Sequence, residues 1–144
     1  GEKAQYNARV LVNNSLRKIN SNKQQYVKFF GTFDIDRKTF VETTYNRIYS
    51  ILFQHIKYKK TNMNVYAYVY VGYPWEVWLG SSFFSAPTKG IDSKPGVIIH
   101  EISHEAGMTT DRIYSLANSI ALAKQNPWRA ITNADNYEYF SETQ

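Results

Sequence analysis

The segment from Val97 to Ala106 constrains the fold most, because it places ionisable side chains within an otherwise aliphatic run. A Pro-Gly pair before the segment and a glycine after it predict a helix over these residues. Such an apolar helix is expected to be buried, and it carries His100, Glu101 and His104 with it. Buried ionisable groups require partners. The fold therefore has to satisfy all three side chains together, and a metal ion would do so.

The spacing of the two histidines predicts a shared ligand. His100 and His104 are four residues apart, so their imidazoles lie one turn apart on one helix face and can bind one ion. Glu101 follows the first histidine and can reach a water molecule beside that ion. This is the H-E-x-x-H arrangement of zinc hydrolases, in which zinc lowers the pKa of its water to about 7. We therefore predict a catalytic site with one zinc ion.

The third zinc ligand is not decided by this spacing. The metzincin pattern H-E-x-x-H-x-x-G-x-x-H fits as far as Gly107, but Thr110 stands where its last histidine belongs. A threonine hydroxyl is a poor zinc ligand, whereas the next residue, Asp111, offers a carboxylate that zinc accepts. A later glutamate, Glu138, would serve in a thermolysin-like site. Asp111 is the favoured ligand and Glu138 is the alternative.

Apolar periodicity predicts helices before and after a small sheet. The predicted helices span residues 4–19, 36–55, 97–106 and 127–140, with a short apolar run at 26–30. Thr109 or Thr110 can cap a further helix, with Asp111 in its first turn. This order of helices, strands and helices predicts an α+β fold.

The middle of the chain changes to a period of two. Valine and alanine alternate with tyrosine over 65–71, which predicts a strand, and 76–79 is predicted as a second short strand. The turn-rich segment 81–95 is predicted to form a loop or hairpin over a site. The basic cluster at 57–60 is interpreted as a helix end followed by a solvated turn.

Length and composition limit the remaining possibilities. The 144 residues suit one domain over 1–144, and the absence of cysteine excludes disulfides and thiolate metal sites. No apolar run approaches the about 20 residues needed to cross a bilayer. No secretory signal is visible at Gly1, so we interpret the sequence as a mature form or a domain cut from a longer chain. The net charge of +5 and the 12 tyrosines leave an alternative hypothesis, a basic binding module for nucleic acid or acidic surfaces with a structural zinc.

The residues that follow the helix resemble a known family motif. The stretch MTTDRIYS, residues 108–115, is similar to the G-T-x-D-x-x-Y-G motif of the aspzincins, the deuterolysin and peptidyl-Lys metalloendopeptidase family. Thr109, Asp111 and Tyr114 match the motif, while Met108 and Ser115 stand at its two glycines. The stretches YVKFFG, VYAYVYVGYPWEVWLGSSFF and NADNYEYF resemble other family segments in the expected order. The resemblance implies a zincin-like single domain with N-terminal helices, a small antiparallel sheet and an HExxH helix.

The resemblance also implies roles for individual residues. Zinc would be held by His100, His104 and Asp111, with Glu101 as the general base and later the proton donor to the leaving amine. Tyr114 would lie one helical turn beyond Asp111 and donate to the oxyanion of the tetrahedral intermediate.

A pair of acidic residues is expected to select the substrate. Asp135 and Glu138 are three residues apart and therefore neighbours on a helix. In the lysine-specific branch of the family, acidic residues at these places bind lysine on the leaving-group side. The resemblance thus implies cleavage on the amino side of lysine. His55 is given no catalytic role, because a contact with a helix C-terminus explains it.

Together these observations predict a zinc metalloendopeptidase that hydrolyses peptide bonds with a Glu-activated water. Its partners would be protein or peptide substrates that pair with an edge strand, without nucleic acid or a membrane span. We expect a monomer that is secreted or delivered outside the producing cell, as a free protease or as a toxin or effector module.

Overall fold

Helices make up most of the fold, and three short strands form one small sheet. The computed structural model describes residues 1–144. The helices are α1 (Glu2–Ser21), α2 (Lys23–Phe30), α3 (Ile35–Ile51), α4 (Ser81–Ser85), α5 (Lys94–Ala106), α6 (Leu116–Gln125), α7 (Pro127–Ala130) and α8 (Ala134–Glu142), and the strands are β1 (Lys57–Lys60), β2 (Ala67–Tyr68) and β3 (Glu76–Leu79). None of these helices has the length and apolar character that crossing a membrane requires. The predicted α+β class is confirmed.

Helix α5 lies at the centre of the core, packed against α1, α3 and α8. Ser93 caps its first turn by accepting a hydrogen bond from the Gly96 amide, and a proline stands in that turn. Its aliphatic side chains are all buried: Val97, Ile98, Ile99 and Ile102. Each contributes about 1.5–3 kcal/mol by leaving water. The apolar sequence of α5 thus explains why its histidines and glutamate are enclosed.

An aromatic cluster fixes α8 against α2 and α3. It consists of Phe30, Tyr45, Tyr137 and Phe140, whose ring centroids lie 5.0–6.5 Å apart. The buried hydroxyls are paired, because Tyr45 donates to the carbonyl of Tyr137 at 2.8 Å and Tyr137 donates to that of Ile131 at 2.6 Å. These bonds allow tyrosines to serve as core residues. The cluster also fixes the position of α8, which packs against α5 as well.

The sheet differs from the predicted one in two ways. Its strand order is β1-β3-β2, with β1 parallel to β3 and β2 antiparallel to it, so the sheet is mixed rather than antiparallel. The basic segment Lys57–Lys60, interpreted as a helix end followed by a solvated turn, is strand β1, and the strand predicted at 65–71 is reduced to Ala67–Tyr68. The strand at 76–79 is confirmed, and it pairs on both sides as β3.

The segment after α5 is a loop, which corrects a predicted helix start. Neither Thr109 nor Thr110 caps a helix, because α6 begins at Leu116 and Ser115 is its N-cap. Asp111 therefore lies in the loop, and Tyr114 is not one helical turn beyond it. The loop is instead pinned to the start of α8 by backbone hydrogen bonds, from the Thr110 amide to the Thr132 carbonyl and from the Ala134 amide to the Thr110 carbonyl.

Candidate metal centre

Two histidines on α5 and one aspartate on the following loop converge at one point. Oδ1 of Asp111 lies 2.9 Å from Nε2 of His100 and 3.4 Å from Nε2 of His104. The carboxylate of Glu101 lies 3.6 Å from the first of these nitrogens and 3.9 Å from the second. Helical spacing places the three α5 residues on one side, as predicted, and the loop brings the Asp111 carboxylate to them as the third metal donor.

The other ring nitrogen of each histidine faces a hydrogen-bond acceptor. Nδ1 of His100 lies 2.6 Å from Oδ1 of Asp135, and Nδ1 of His104 lies 2.9 Å from the carbonyl oxygen of Thr109. A proton on Nδ1 satisfies each acceptor and leaves the lone pair of Nε2 directed at the point of convergence. Metal-ligating histidines in proteins are oriented in this way. Two imidazole nitrogens and a carboxylate oxygen also form a donor set that suits zinc, so these residues fit that metal.

A buried asparagine shapes the loop that carries Asp111. Asn133 precedes α8, and its side-chain oxygen accepts from the amides of Arg112 at 2.9 Å and Ile113 at 3.2 Å. Oδ2 of Asp135 accepts from the amide of Ser115 at 3.0 Å. The loop is therefore fixed by side chains at the start of α8, which join the third donor to the α5 histidines.

Two residues of this loop adopt backbone conformations that favour glycine. Met108 has a φ of 52° and Ser115 a φ of 88°. These are the two positions at which the family motif carries glycine. The chain keeps the glycine-like backbone with larger side chains, which costs on the order of 1–3 kcal/mol at each position.

Electrostatics at the site favour a bound cation. Burial acts to lower the pKa of His100, but the surrounding carboxylates, first Asp111 and then Asp135, outweigh it and raise that pKa well above its usual value. Burial raises the pKa of Glu101 to about 8. Burial also acts to raise the pKa of Asp111, but hydrogen bonding to His100 and the histidine charges lower it. A site in which a buried histidine favours its cationic form is one that stabilises positive charge, and a metal dication would provide that charge.

A cavity of about 460 Å³ opens beside the metal donors. Its walls include the predicted site residues His100, Glu101, Asp111, Tyr114, Asp135 and Glu138. Tyr114 is 60% exposed and stands at the cavity edge, whereas Asp135 and Glu138 are buried. The seventh predicted residue, His104, completes the donor set from α5. All seven are thus brought together, although Tyr114 arrives on a loop and not on a helix.

The position of Glu138 does not suit the alternative third ligand. Its Oε1 lies 3.6 Å from Nδ1 of His100, the ring nitrogen that faces Asp135. A metal between the Nε2 atoms of His100 and His104 would be approached by Asp111 instead. Glu138 therefore belongs to the cavity wall behind the histidine.

Sequence reasoning missed several residues that complete the site. Asp92 lines the cavity, and Glu142 lies beside Glu138. Thr109 was noted only as a motif residue and a helix cap, and Asn133 was not singled out. Asp92 and Glu142 gave no sequence signal, since they lie 46 residues before and 4 residues after Glu138, outside the motifs described above. Thr109 faces Nδ1 of His104 with its backbone carbonyl, and the side chain of Asn133 accepts from amides of the loop. Only the folded chain reveals these contacts.

Comparisons with known proteins agree with this geometry. A family model described as lysine-specific metallo-endopeptidase, the aspzincin model, matches residues 15–142. A peptidyl-Lys metalloendopeptidase of Pleurotus ostreatus is 37% identical over 136 residues, covering 90% of this chain and 81% of that protein. An extracellular protease of Aeromonas hydrophila is 39% identical over 126 residues, covering 84% of this chain but only 36% of that protein.

A solved structure shows the same architecture. The zinc peptidase from Grifola frondosa superposes with a TM-score of 0.92 at 34% identity, covering 98% of this chain and 91% of that chain. This match confirms the predicted fold and supports zinc as the metal. The relatives are proteases, which supports a peptidase and gives no support to the basic binding module considered as an alternative.

Proposed function

The chain belongs to the aspzincin family of lysine-specific metallo-endopeptidases, and from this membership we propose that it is a zinc metalloendopeptidase. One zinc ion would be held by His100, His104 and Asp111. The convergence of two Nε2 atoms on Oδ1 of Asp111, at 2.9 and 3.4 Å, is the observation that carries the proposal. Three protein ligands leave one position open, as catalytic zinc sites do.

Glu101 is proposed as the general base. Zinc in this position would polarise the scissile carbonyl and acidify a water molecule. The Glu101 carboxylate lies 3.6 Å and 3.9 Å from the Nε2 atoms of His100 and His104, beside the position that the zinc and its water would take. It would accept the proton of the attacking water and deliver it to the leaving amine.

Tyr114 is proposed to stabilise the oxyanion. Its side chain lines the cavity from the loop that also carries Asp111. A phenol hydroxyl at the edge of the cavity can donate to negative charge that develops on the carbonyl oxygen. Its exposure leaves the hydroxyl accessible to a bound peptide.

The acidic side of the cavity supports cleavage on the amino side of lysine. Asp135 and Glu138 lie on α8, one turn apart, and both line the cavity next to His100. We propose that they attract the lysine side chain of the residue beyond the scissile bond. Protein and peptide substrates with accessible lysines are then the partners of this site.

The remaining parts of the proposal concern the context of the site. We propose that residues 1–144 form one metallopeptidase domain that acts as a monomer, because every proposed ligand and base comes from one chain. It has no need of nucleic acid. The extracellular protease of Aeromonas hydrophila supports secretion or delivery outside the producing cell.

The proposal is tested by comparing the wild type with Glu101→Gln. Both proteins are expected to contain stoichiometric zinc by atomic spectroscopy, because Glu101 is not a ligand. A cleavage-site profile on a peptide library should show cuts before lysine for the wild type and a loss of about 10²–10⁴-fold in rate for the variant. Proteolysis by Glu101→Gln at the wild-type rate would remove Glu101 as the base, and zinc-free wild type would overturn the metal site.

A further inference from the structure

Asp92 lies at the turn before α5 and lines the same cavity as Glu138. We propose that Asp92 and Glu138 together bind the ammonium group of the substrate lysine, and that Asp92 is a specificity-determining residue. This inference rests on the proposed lysine-directed function and assigns its charge recognition to a residue outside the motifs considered above. Its support comes from the backbone of Asp92, from its side chain, and from an unpaired oxygen opposite it.

The backbone at Asp92 is held in a conformation that is unusual for any residue except glycine. Its φ is 54°, in the left-handed region, which asparagine and aspartate adopt more readily than other side chains. Glu142 maintains it, because Oε1 accepts from the Asp92 amide at 3.0 Å and Oε2 accepts from the Ser93 amide at 2.9 Å. The absence of a side chain at Gly96 leaves room for this carboxylate.

The side chain of Asp92 is oriented by a second cavity residue. The hydroxyl of Tyr139 donates to Oδ1 of Asp92 at 2.6 Å. Oδ2 has no hydrogen-bond partner in the protein. Because Asp92 lines the cavity, one oxygen is anchored and the other is available to a ligand.

An unpaired carboxylate oxygen belongs to the same group of side chains. Glu138 is only 4% exposed, and its Oε2 is buried without a hydrogen-bond partner. One carboxylate oxygen each of Asp92, Glu138 and Glu142 lies within 4.8 Å of the other two. A buried acceptor without a partner costs about 1–3 kcal/mol, more when charged, so it marks a position for a positively charged donor.

The available oxygens suit an ammonium group better than a second metal ion. Both oxygens of Glu142 accept from backbone amides, and Oδ1 of Asp92 accepts from Tyr139. Asp92 and Glu138 therefore contribute one unengaged oxygen each. Calcium takes about 6–8 oxygen ligands, whereas an ammonium carries three N–H donors and can be satisfied by two carboxylates and a third acceptor.

Asp135 is less suited to contact the substrate directly. Its Oδ1 is engaged by His100 at 2.6 Å and its Oδ2 by the Ser115 amide at 3.0 Å. It adds negative charge to the cavity wall, but neither oxygen is unengaged. Asp135 therefore attracts the lysine through its charge, and the oxygens left to accept from the ammonium are those of Asp92 and Glu138.

The test uses Asp92→Asn, which keeps an oxygen for Tyr139 and a residue type that tolerates the left-handed backbone. Matched peptides with lysine or norleucine after the scissile bond should show a loss of about 10–100-fold in kcat/KM for lysine, mainly through KM, and little change for norleucine. Zinc content should be unchanged. The control Asp36→Asn, at an exposed position of α3, should behave as wild type.

Direct binding provides a second measurement that is independent of catalysis. The lysine peptide is titrated into the zinc-loaded Glu101→Gln protein, with and without Asp92→Asn, by calorimetry. A 10–100-fold weaker affinity for lysine, with unchanged norleucine affinity, supports the inference. Equal lysine affinity in the two proteins overturns it. A wild type that shows no preference for lysine over norleucine instead overturns the lysine specificity in the proposed function, so the two failures are distinguishable.

Discussion

Oδ1 of Asp135 lies 2.6 Å from Nδ1 of His100, while Oδ1 of Asp111 lies 2.9 Å from Nε2 of the same ring. His100 is thus held between a carboxylate from α8 and a carboxylate from the loop. A carboxylate at Nδ1 fixes the tautomer and increases the basicity of the nitrogen that binds a metal. Asp135, predicted as a substrate-binding residue, therefore also has a position that affects the metal.

Asp135→Asn is expected to weaken zinc binding by about 10–100-fold, the usual effect of losing a partner of a ligating histidine. The side-chain oxygen of asparagine is a weaker acceptor for the Nδ1–H group of His100 than a carboxylate oxygen is. The NH2 group of asparagine also cannot accept from the backbone amide of Ser115. Zinc affinity is measured by competition with a chromophoric chelator. Asp36→Asn controls for the general loss of a negative charge. Unchanged zinc affinity in Asp135→Asn would show that Asp135 does not support His100.

Replacement of the proposed third ligand should affect zinc more strongly. Asp111→Ala removes the oxygen that lies 2.9 Å and 3.4 Å from the two histidine nitrogens. Zinc affinity should therefore fall by more than about 100-fold, the largest effect expected from losing a residue that only hydrogen-bonds to a ligand. Thr110→Ala is the matched control, because Thr110 contacts α8 through its backbone and its side chain is exposed. It should bind zinc within about twofold of wild type. Similar zinc affinities for the two variants would contradict Asp111 as the ligand.

Tyr114→Phe should reduce kcat by about 10²–10³-fold, the effect of removing one donor to an oxyanion. KM and zinc content should change little, because the hydroxyl is proposed to act only when charge develops on the carbonyl oxygen. Steady-state kinetics with a lysine peptide, together with zinc analysis, checks this separation. An increase in KM at constant kcat would assign Tyr114 to substrate binding instead.

Local sequence patterns predicted the features that a single element determines. Helix α5 and its histidines follow from aliphatic composition and from a spacing of four residues. Strand β1 could not be predicted in this way, since its three lysines resemble a solvated turn. It forms because Lys57–Lys60 pairs in parallel with β3, a contact between segments that are distant in the sequence.

The candidate site was predictable where the motif is contiguous. Asp111 and Tyr114 follow α5 directly, and the resemblance to the family motif indicated both. Asp92 was not predictable, because its proximity to Glu138 arises only when the turn before α5 packs beside α8. The helix predicted to start at Thr109 or Thr110 was wrong, because Asn133 and Asp135 bind the amides of this segment in an extended loop.

The two glycine-like loop positions allow a test of backbone strain. Ser115 has φ 88° and ψ 157°, a region occupied almost only by glycine. Ser115→Gly should raise stability by about 1 kcal/mol, since relief of strain exceeds the lost cap and the added freedom of the unfolded chain. Urea unfolding of the metal-free protein measures the change. Ser115→Ala keeps the strain and loses the cap, so it should be destabilised, and an Ala variant as stable as the Gly variant would contradict the interpretation.

Tyr26→Phe should stabilise the protein, and the gain should increase in alkali. Tyr26 is 1% exposed and its hydroxyl has no hydrogen-bond partner, so removing the hydroxyl should contribute about 1 kcal/mol at pH 7. Burial raises the pKa of Tyr26 from 10.0 to about 12. Between these values the unfolded chain releases the phenol proton while the folded protein retains it. Proton release by Tyr26 therefore leaves the free energy of unfolding unchanged below pH 10, and as the pH rises from 10 towards 12 the wild type loses about 1.4 kcal/mol per pH unit relative to Tyr26→Phe.

Urea unfolding at pH 7, 9 and 11 compares the wild type with Tyr26→Phe and with Tyr45→Phe. Tyr45 is an equally buried tyrosine, but its hydroxyl donates to the Tyr137 carbonyl, so its loss should destabilise the protein by about 1 kcal/mol at pH 7. The free energy of unfolding of Tyr26→Phe should fall less between pH 9 and pH 11 than that of the wild type. If Tyr26→Phe is instead destabilised at pH 7, as Tyr45→Phe is, then the Tyr26 hydroxyl has a hydrogen-bond partner in solution. The prediction that this hydroxyl destabilises the protein would then be wrong.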